Sequence, residues 1–311
     1  MENKQKPVYS IVVPVFNEEE CVTKFYEAMV PVMEQTGEPF EIIYVNDGSR
    51  DKTEENVTAI CQKDARVRLI NFSRNFGQQA AIHCGFTEAK GDAVIDIDVD
   101  LQDPPEAVLD MIAKWKEGYE VVHGKRQKRK GETFFKKFTS TLYTKFLKKI
   151  TGLDIPASVG DFKLFDRKVI ETYLSMTEHH RFLRGMTAWM GFKQTEVEFL
   201  REARAAGKTK YSIKKLVRLA EDGIVANSNY PLSLAMKFGI ALGVLSVACF
   251  IAFPLLLIWS INVGLTAYLF PTIGLATAAL LVSNGLTNLY LARVYDEVKN
   301  RPRYIVGSRV N

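Results

Sequence analysis

Disulfide and zinc chemistry are the first things this 311-residue chain has little means for. Its four cysteines, Cys21, Cys61, Cys84 and Cys249, are scattered without a Cys-x-x-Cys pair, which reads as buried or idle thiols in a reducing compartment. No second His or Cys stands at metal spacing from His83, so that histidine reads as packed or solvent-facing. No Gly-x-Gly-x-x-Gly and no Gly-Lys-Ser/Thr follows the first apolar run, which disfavours a dinucleotide-dependent enzyme and a P-loop NTPase. The opening MENKQKPVYS lacks an apolar stretch, so no signal peptide is expected and the first domain should be cytosolic. There is neither internal repeat nor low-complexity tract.

The largest absence is of charge. From Phe238 to Ala292 there is no Asp, Glu, Lys or Arg, room for two membrane spans of about 20 residues each. The expected spans are Phe238–Ile261 and Tyr268–Leu291, broken near Asn262-Val263-Gly264. A soluble helical pair would show a polar face, and this segment shows none. Lys237 precedes it, and Arg293, Lys299, Arg301 and Arg303 follow it, so both ends of the hairpin are expected in the cytoplasm.

What the chain does have begins with apolar runs that alternate with helical stretches. Val8–Val15, Phe40–Asn46, Val67–Phe72, the run from Ala93 and Glu120–Gly124 read as strands, with helices between them. That order predicts an α/β fold with a mostly parallel sheet covered on both faces. Later strands are expected at Phe162–Phe165 and Lys193–Leu200. The acids Glu19 and Glu20 read as dipole partners in the first turn of a helix running to about Gln35.

The most informative stretch is AVIDIDVDLQDPPE, residues 93–106. Alternate residues of a strand face one side, so Asp98 and Asp100 can meet in one cleft as the strand ends. Two carboxylates that close repel unless a cation separates them, and hard oxygen ligands suit Mg²⁺ or Mn²⁺. The alternative is a turn of solvated acids capping a helix that starts at Pro104. Asp47 lies just past a strand's carboxyl end, where open α/β sheets bind ligands, although Asp-Gly is also ordinary turn chemistry. Arg74 could meet a phosphate or lie on the surface. Asp161, following a glycine at a strand start, is a catalytic or acceptor-positioning candidate or a turn residue.

The net charge of +5 is mild but uneven. From Lys125 to Lys149, ten Lys or Arg face the single acid Glu132 and interleave with aromatic and leucine residues, the pattern of a helix in a membrane interface. Nucleic acid would fit the same composition, but a membrane hairpin on the same chain favours anionic lipid. Arg126 and Arg129 lie at the exit of the fifth strand. Farther on, RAAGKTKY (204–211) is a plausible phosphate clamp ahead of an amphipathic helix at 212–229.

Together, PVFNEEE (14–20), VNDGS (45–49), SRNFGQQAA (73–81), DVDLQDPPE (98–106), KRQKR (125–129), VGDFKL (159–164), RAAGKTKY (204–211) and RVYDEVKNRPRYIV (293–306) span nearly the whole chain. In order and spacing they resemble the inverting family 2 glycosyltransferases of GT-A fold, in the polyprenyl-phosphate branch of bactoprenol glucosyltransferases and dolichol-phosphate mannose synthases. The resemblance implies a cytosolic catalytic domain over 1–230 with interface helices at about 131–150 and 212–229, a hairpin over 231–292 and a basic tail over 293–311. It implies transfer of a hexose, glucose first, from a UDP-sugar to polyprenyl phosphate at a bacterial inner membrane. Pro14, Val15, Asn17 and Glu18 would line the nucleotide pocket, and Asp47 would read the uracil edge. Asp98 would lie beside the diphosphate, Asp100 and Gln102 would hold Mg²⁺ or Mn²⁺ with it, and Asp161 would sit at the reacting centre. Arg126, Arg129, Arg204, Thr209 and Lys210 would bind acceptor phosphate or donor diphosphate. Asn46 and Thr209 depart from residues common in relatives, at positions expected to be chemically indecisive. A lipid bilayer and copies of the same chain, up to a tetramer, are implied partners; nucleic acid is not. A processive synthase would want a Gln-x-x-Arg-Trp motif, which is absent, and a non-catalytic membrane adaptor would have no need of Asp98, Asp100 and Gln102.

Overall fold

Runs of β-branched and aromatic residues without polar alternation build the centre of the sheet. The computed structural model describes residues 6–126, 159–178, 181–200, 237–238, 240–241, 244 and 265–311. The interface helices expected at 131–150 and 212–229, most of the first span, and Arg129, Arg204, Thr209 and Lys210 lie outside them. Strand β1 (Tyr9–Val15) and strand β2 (Phe40–Asn46) are buried at every position, as strands covered on both faces must be. Between them runs helix α1 (Val22–Glu34), and α2 (Thr53–Lys63) leads to β3 (Val67–Phe72). Helix α3 (Gln78–Glu88), β4 (Ala93–Asp96), α4 (Ala107–Lys116) and β5 (Val121–Arg126) continue the alternation. After them come β6 (Val159–Asp166), α5 (Arg167–Ser175), α6 (Leu183–Met190) and β7 (Gln194–Phe199), then α7 (Leu265–Lys299) and β8 (Val306–Val310).

These strands form one eight-stranded sheet in the order β7-β5-β6-β4-β1-β2-β3-β8. The pairs β1–β2, β1–β4, β2–β3 and β5–β7 are parallel, whereas β6 runs antiparallel to both β4 and β5, and β8 antiparallel to β3. One apolar cluster packs on each face, the first around Phe25, Tyr44, Met111 and Phe162 and the second around Phe86, Phe165, Ile170 and Tyr173. The sheet is thus mostly parallel with helices on both sides, as the alternation predicts. The chain order β1, β2, β3 runs one way from β1 while β4 lies on its other flank, which opens a crevice beyond the carboxyl ends of β1 and β4.

Local expectations are corrected in four places. Strand β4 ends at Asp96, so Asp98 and Asp100 lie in the turn beyond it, and α4 starts at Ala107 rather than Pro104. Helix α1 starts at Val22, with no acid in its first turn. Glu19 lies outside the helix, where its carboxylate accepts from the Lys52 amide at 2.9 Å. Asp161 falls inside β6 rather than before it. The tail also returns to the sheet, as β8. His83 is buried between Arg181 and Arg303, whose Nη1 atoms lie near its Nδ1 and Nε2, so that only one of them can donate to the neutral ring; burial with these two charges holds its pKa down at about 3. Cys21, Cys61 and Cys84 are buried free thiols.

The chain divides into two compact units, Met1–Leu216 with Pro302–Asn311 and Val217–Arg301. In the second, α7 is 35 residues long, about 50 Å at 1.5 Å per residue. Its Leu280, Leu281, Val282 and Leu291 are exposed. Among the described residues it holds the one segment long and apolar enough to cross a membrane, Leu275–Lys299. The two-helix hairpin expected from the sequence is not shown, and the first span falls mostly outside the described residues.

Candidate functional site

The loops that leave β1 and β2 are fastened to each other by short-range polar chemistry. Asn17 sits in the left-handed region at φ 54°, which Asn tolerates better than most residues. Its amide donates to Ser49 Oγ at 2.9 Å, and its side-chain oxygen accepts from the Arg50 amide at 2.8 Å. The Glu18 amide donates to Thr53 Oγ1 at 2.9 Å. Asp47 is buried, its two carboxylate oxygens accepting from the Phe76 and Gly77 amides at 2.6 and 2.9 Å. Burial pushes its pKa up, opposed by those amides and by Arg74. Asp47 therefore ties the β2 exit to the loop that opens α3.

Beside these loops lies a cavity of about 410 Å³ whose lining includes Asn17, Asn46, Gly48, Ser49, Arg50 and Arg74. Gly48 has φ +69°, and a Cβ there would come within 2.6 Å of the Arg74 carbonyl carbon. Backbone conformation and close approach both demand glycine. Gly48→Ala is expected to lower the melting temperature and weaken any ligand of this cavity at least about ten-fold, since the strain of about 2 kcal/mol must move the Arg74 backbone. Calorimetry on the variant checks both.

Across the crevice, the turn after β4 gathers carboxylates. Ile97 and Val99 are buried in the core, while Asp98 and Asp100 are half-buried. Leu101 has φ 56°, uncommon for a bulky residue and costly without surrounding support. The Gln102 amide closes the turn by donating to Asp100 Oδ1 at 3.1 Å. Asp103 accepts a fork from Arg126, Nε and Nη2 each at 3.3 Å. On β6, Asp161 accepts from Arg184 Nε at 3.1 Å. Lys163, buried two residues on, lies opposite Asp96 on β4 and His123 on β5.

The cations are unevenly distributed. Arg126 answers Asp103, Arg184 answers Asp161, and Lys163 faces Asp96. Asp98 has no salt bridge among the described residues and receives one hydrogen bond, from Gln78 Nε2 at 3.0 Å. Burial, then the charges of Asp161, Asp103 and Asp100, push its pKa up to about 7. A divalent ion would relieve that excess of negative charge. No three His, Cys, Asp or Glu side chains among the described residues converge into a closed cage. The open oxygen set of Asp98, Asp100 and Gln102 fits Mg²⁺ or Mn²⁺, ions that keep water and take substrate phosphate oxygens alongside one or two carboxylates.

The structure therefore brings Asp98, Asp100, Gln102, Arg126 and Asp161 to one side of the crevice and Asn17, Glu18 and Asp47 to the loops after β1 and β2, while Val15 is the buried last residue of β1. Pro14 is inside β1, at a register position paired with Val45. Sequence reading missed Gln78, Asp103, Lys163 and Arg184. Their only signal was proximity to the acidic and glycine-flanked motifs, because their roles depend on partners far along the chain.

Comparison with known proteins agrees with this arrangement. The model of "Glycosyl transferase family 2" matches residues 10–174. An uncharacterized glycosyltransferase of Bacillus subtilis, YkcC, is 46% identical over 299 residues, covering 96% of this chain and 93% of that protein. The bactoprenol glucosyl transferase of Shigella phage SfII is 36% identical over 301 residues, 96% of each. Among solved structures, the glucosyl-3-phosphoglycerate synthase of Mycobacterium tuberculosis in complex with Mg²⁺ and UDP is similar at a TM-score of 0.51 and 17% identity, over 70% of this chain and 77% of that one, a likeness of fold. A carboxylate-rich crevice at the switch point of a GT-A sheet, in a chain matched to this family over more than half its length, is that of a glycosyl-transferring enzyme, and the chain belongs to glycosyl transferase family 2.

Proposed function

We propose that the enzyme moves a hexose, glucose first, from a UDP-sugar to undecaprenyl phosphate with inversion at the anomeric carbon, at the cytoplasmic face of the bacterial inner membrane. The observation that carries this reading is the acid cluster at the carboxyl ends of β1 and β4, with Asp98 in no salt bridge among the described residues and its pKa pushed up by burial and by Asp161, Asp103 and Asp100. Such a site fits a metal-bound diphosphate, and the phage relative that matches over 96% of each chain is named for bactoprenol glucosyl transfer. The apolar helix Leu275–Lys299 supports delivery of a lipid acceptor.

In the proposed reaction a phosphate oxygen of the lipid attacks the anomeric carbon and UDP departs. The phosphate is already largely ionised near neutral pH, its second pKa being about 6, so no strong base is required. Asp161, held by Arg184, orients the acceptor. Asp98, Asp100 and Gln102 would hold the ion, which would supply positive charge against the departing diphosphate. Arg126, fixed by Asp103, keeps its guanidinium at the edge of the same crevice, where it can meet a phosphate. Asn17, Glu18 and the β2 exit loop enclose the nucleotide.

The test is purified full-length protein with undecaprenyl phosphate and a panel of UDP- and GDP-sugars. Glycolipid should form from a UDP-hexose, vanish with EDTA and return on adding Mg²⁺ or Mn²⁺. Undiminished product in EDTA would exclude the metal assignment, and product from a GDP-sugar alone would exclude the donor.

A further inference from the structure

The end of the chain reaches the cavity beside the β2 exit through two buried amides. Asn46, Asn71 and Ser308 lie in one row across β2, β3 and β8, Asn46 paired in register with Asn71 and Asn71 with Ser308. Asn71 Nδ2 donates to Ser308 Oγ and to Glu54 Oε1, each at 2.9 Å. Its Oδ1 accepts from Asn46 Nδ2 at 2.9 Å. Asn46 Oδ1 in turn accepts from the Ser49 amide at 3.0 Å, and Ser49 Oγ accepts from the Asn17 amide. Five residues thus form a directed relay from the last strand to the one non-glycine residue of the β1 exit that holds a positive φ. Asn46 and Asn71 are both buried, and buried amide networks of this kind hold one geometry because any other leaves polar atoms unpaired.

Only an amide suits the middle positions. Each must donate on one side and accept on the other, which a carboxylate cannot do. Asn46, Ser49, Glu54 and Asn17 also line the 410 Å³ cavity. We infer that Ser308, Asn71 and Asn46 are positioning residues for the sugar-nucleotide pocket, with the strand at the end of the chain setting the loop that encloses the nucleotide. The inference rests on the proposed donor reading of that pocket.

Strand β8 is anchored independently of Ser308, which makes a mild test available. Tyr304 stacks on Phe72 with ring centroids 4.9 Å apart, Arg309 pairs with Glu88, and Asn311 Nδ2 donates to the carbonyls of Cys61 and Val67. Ser308→Ala should therefore leave the strand in place and remove one acceptor from Asn71.

The experiment measures UDP affinity in Mg²⁺ by calorimetry, and amide exchange over residues 46–51 without nucleotide, on full-length protein carrying Ser308→Ala, Ser308→Thr or Asn46→Asp. Losing one hydrogen bond in the relay should weaken UDP binding by about three- to ten-fold for Ser308→Ala. Asn46→Asp should weaken it more, and both should speed exchange at Ser49 and Arg50. Ser308→Thr, which keeps the hydroxyl, should restore wild-type values, and kcat of the Ser308→Ala protein at saturating donor should stay within about two-fold. Wild-type binding that Ser308→Ala and Asn46→Asp leave unchanged, with unchanged exchange, overturns the inference alone. A wild-type protein that binds no UDP overturns the donor reading and this role with it.

Discussion

Asp98→Asn is expected to cost about a thousand-fold in turnover, while raising the melting temperature of the metal-free protein by a few degrees. Asparagine keeps the shape of the side chain and can still accept from Gln78 Nε2. It removes one negative charge from a buried neighbourhood that already holds Asp161, Asp103 and Asp100. Like charges in a desolvated site repel, so neutralising one of them stabilises the fold. The same charge is what a divalent ion and a departing diphosphate need, and losing about 4 kcal/mol of transition-state stabilisation corresponds to the stated rate. Opposite signs for stability and activity mark residues kept for function at a cost to the fold. Glycolipid assays and thermal melts in EDTA check both halves. Activity within three-fold of wild type would remove Asp98 from the metal site, and a lower melting temperature would show that its charge is structurally required.

Lys163→Met is expected to destabilise the sheet domain by about 3 kcal/mol, because it removes the buried positive charge that compensates the acids Asp161 and Asp96 beside it. Lys163 is 1% exposed, its register partner on β4 is Asp96, also 1% exposed, and Asp161 lies two residues earlier on the same strand. Burial lowers the pKa of its ammonium to about 8, with Asp161 opposing that shift. Without the ammonium, Asp96 would lose the charge that opposes Asp161, Asp98 and Asp103 around it, and its Oδ2 already has no hydrogen-bond partner among the described residues. The paired change Asp96→Asn with Lys163→Met removes both charges and should recover most of the loss. Denaturant melts of the two single variants and the double variant give the coupling directly. If the two single costs simply add, the strands are not held together by this pair.

Much of the fold was legible because it is written locally. Val8–Val15 and Phe40–Asn46 are apolar without alternation, and a parallel strand covered on both faces leaves that mark on any sequence. The crowding of acids at 96–103 was legible for the same reason. What escaped was the direction of β6 and the existence of β8. Phe162–Phe165 is a short, mostly apolar run like the parallel strands of the sheet, so composition says nothing of its reversed direction. Val306–Val310 is short, half polar and follows a long helix, so as a strand it forms only by pairing with β3. Asn46 looked chemically indecisive because its use of both faces of the amide depends on Asn71 of the next strand. That Asp103 holds the Arg126 guanidinium at 3.3 Å was not legible either, since the two lie 23 residues apart.

By itself the sequence determined the strand-and-helix alternation, the acidic turn, the uncharged stretch after Lys237 and the family that those motifs share. Only the tertiary structure decided which cation answers which acid, so that Asp98 has no salt bridge among the described residues, and which strand closes the sheet beside the pocket. Apolar periodicity is carried by neighbouring residues, each of which partitions between water and core on its own account. Charge pairing and strand register join residues as far apart as Asn71 and Ser308, 237 positions along the chain. No local pattern encodes such a meeting, and it exists only once the sheet has formed.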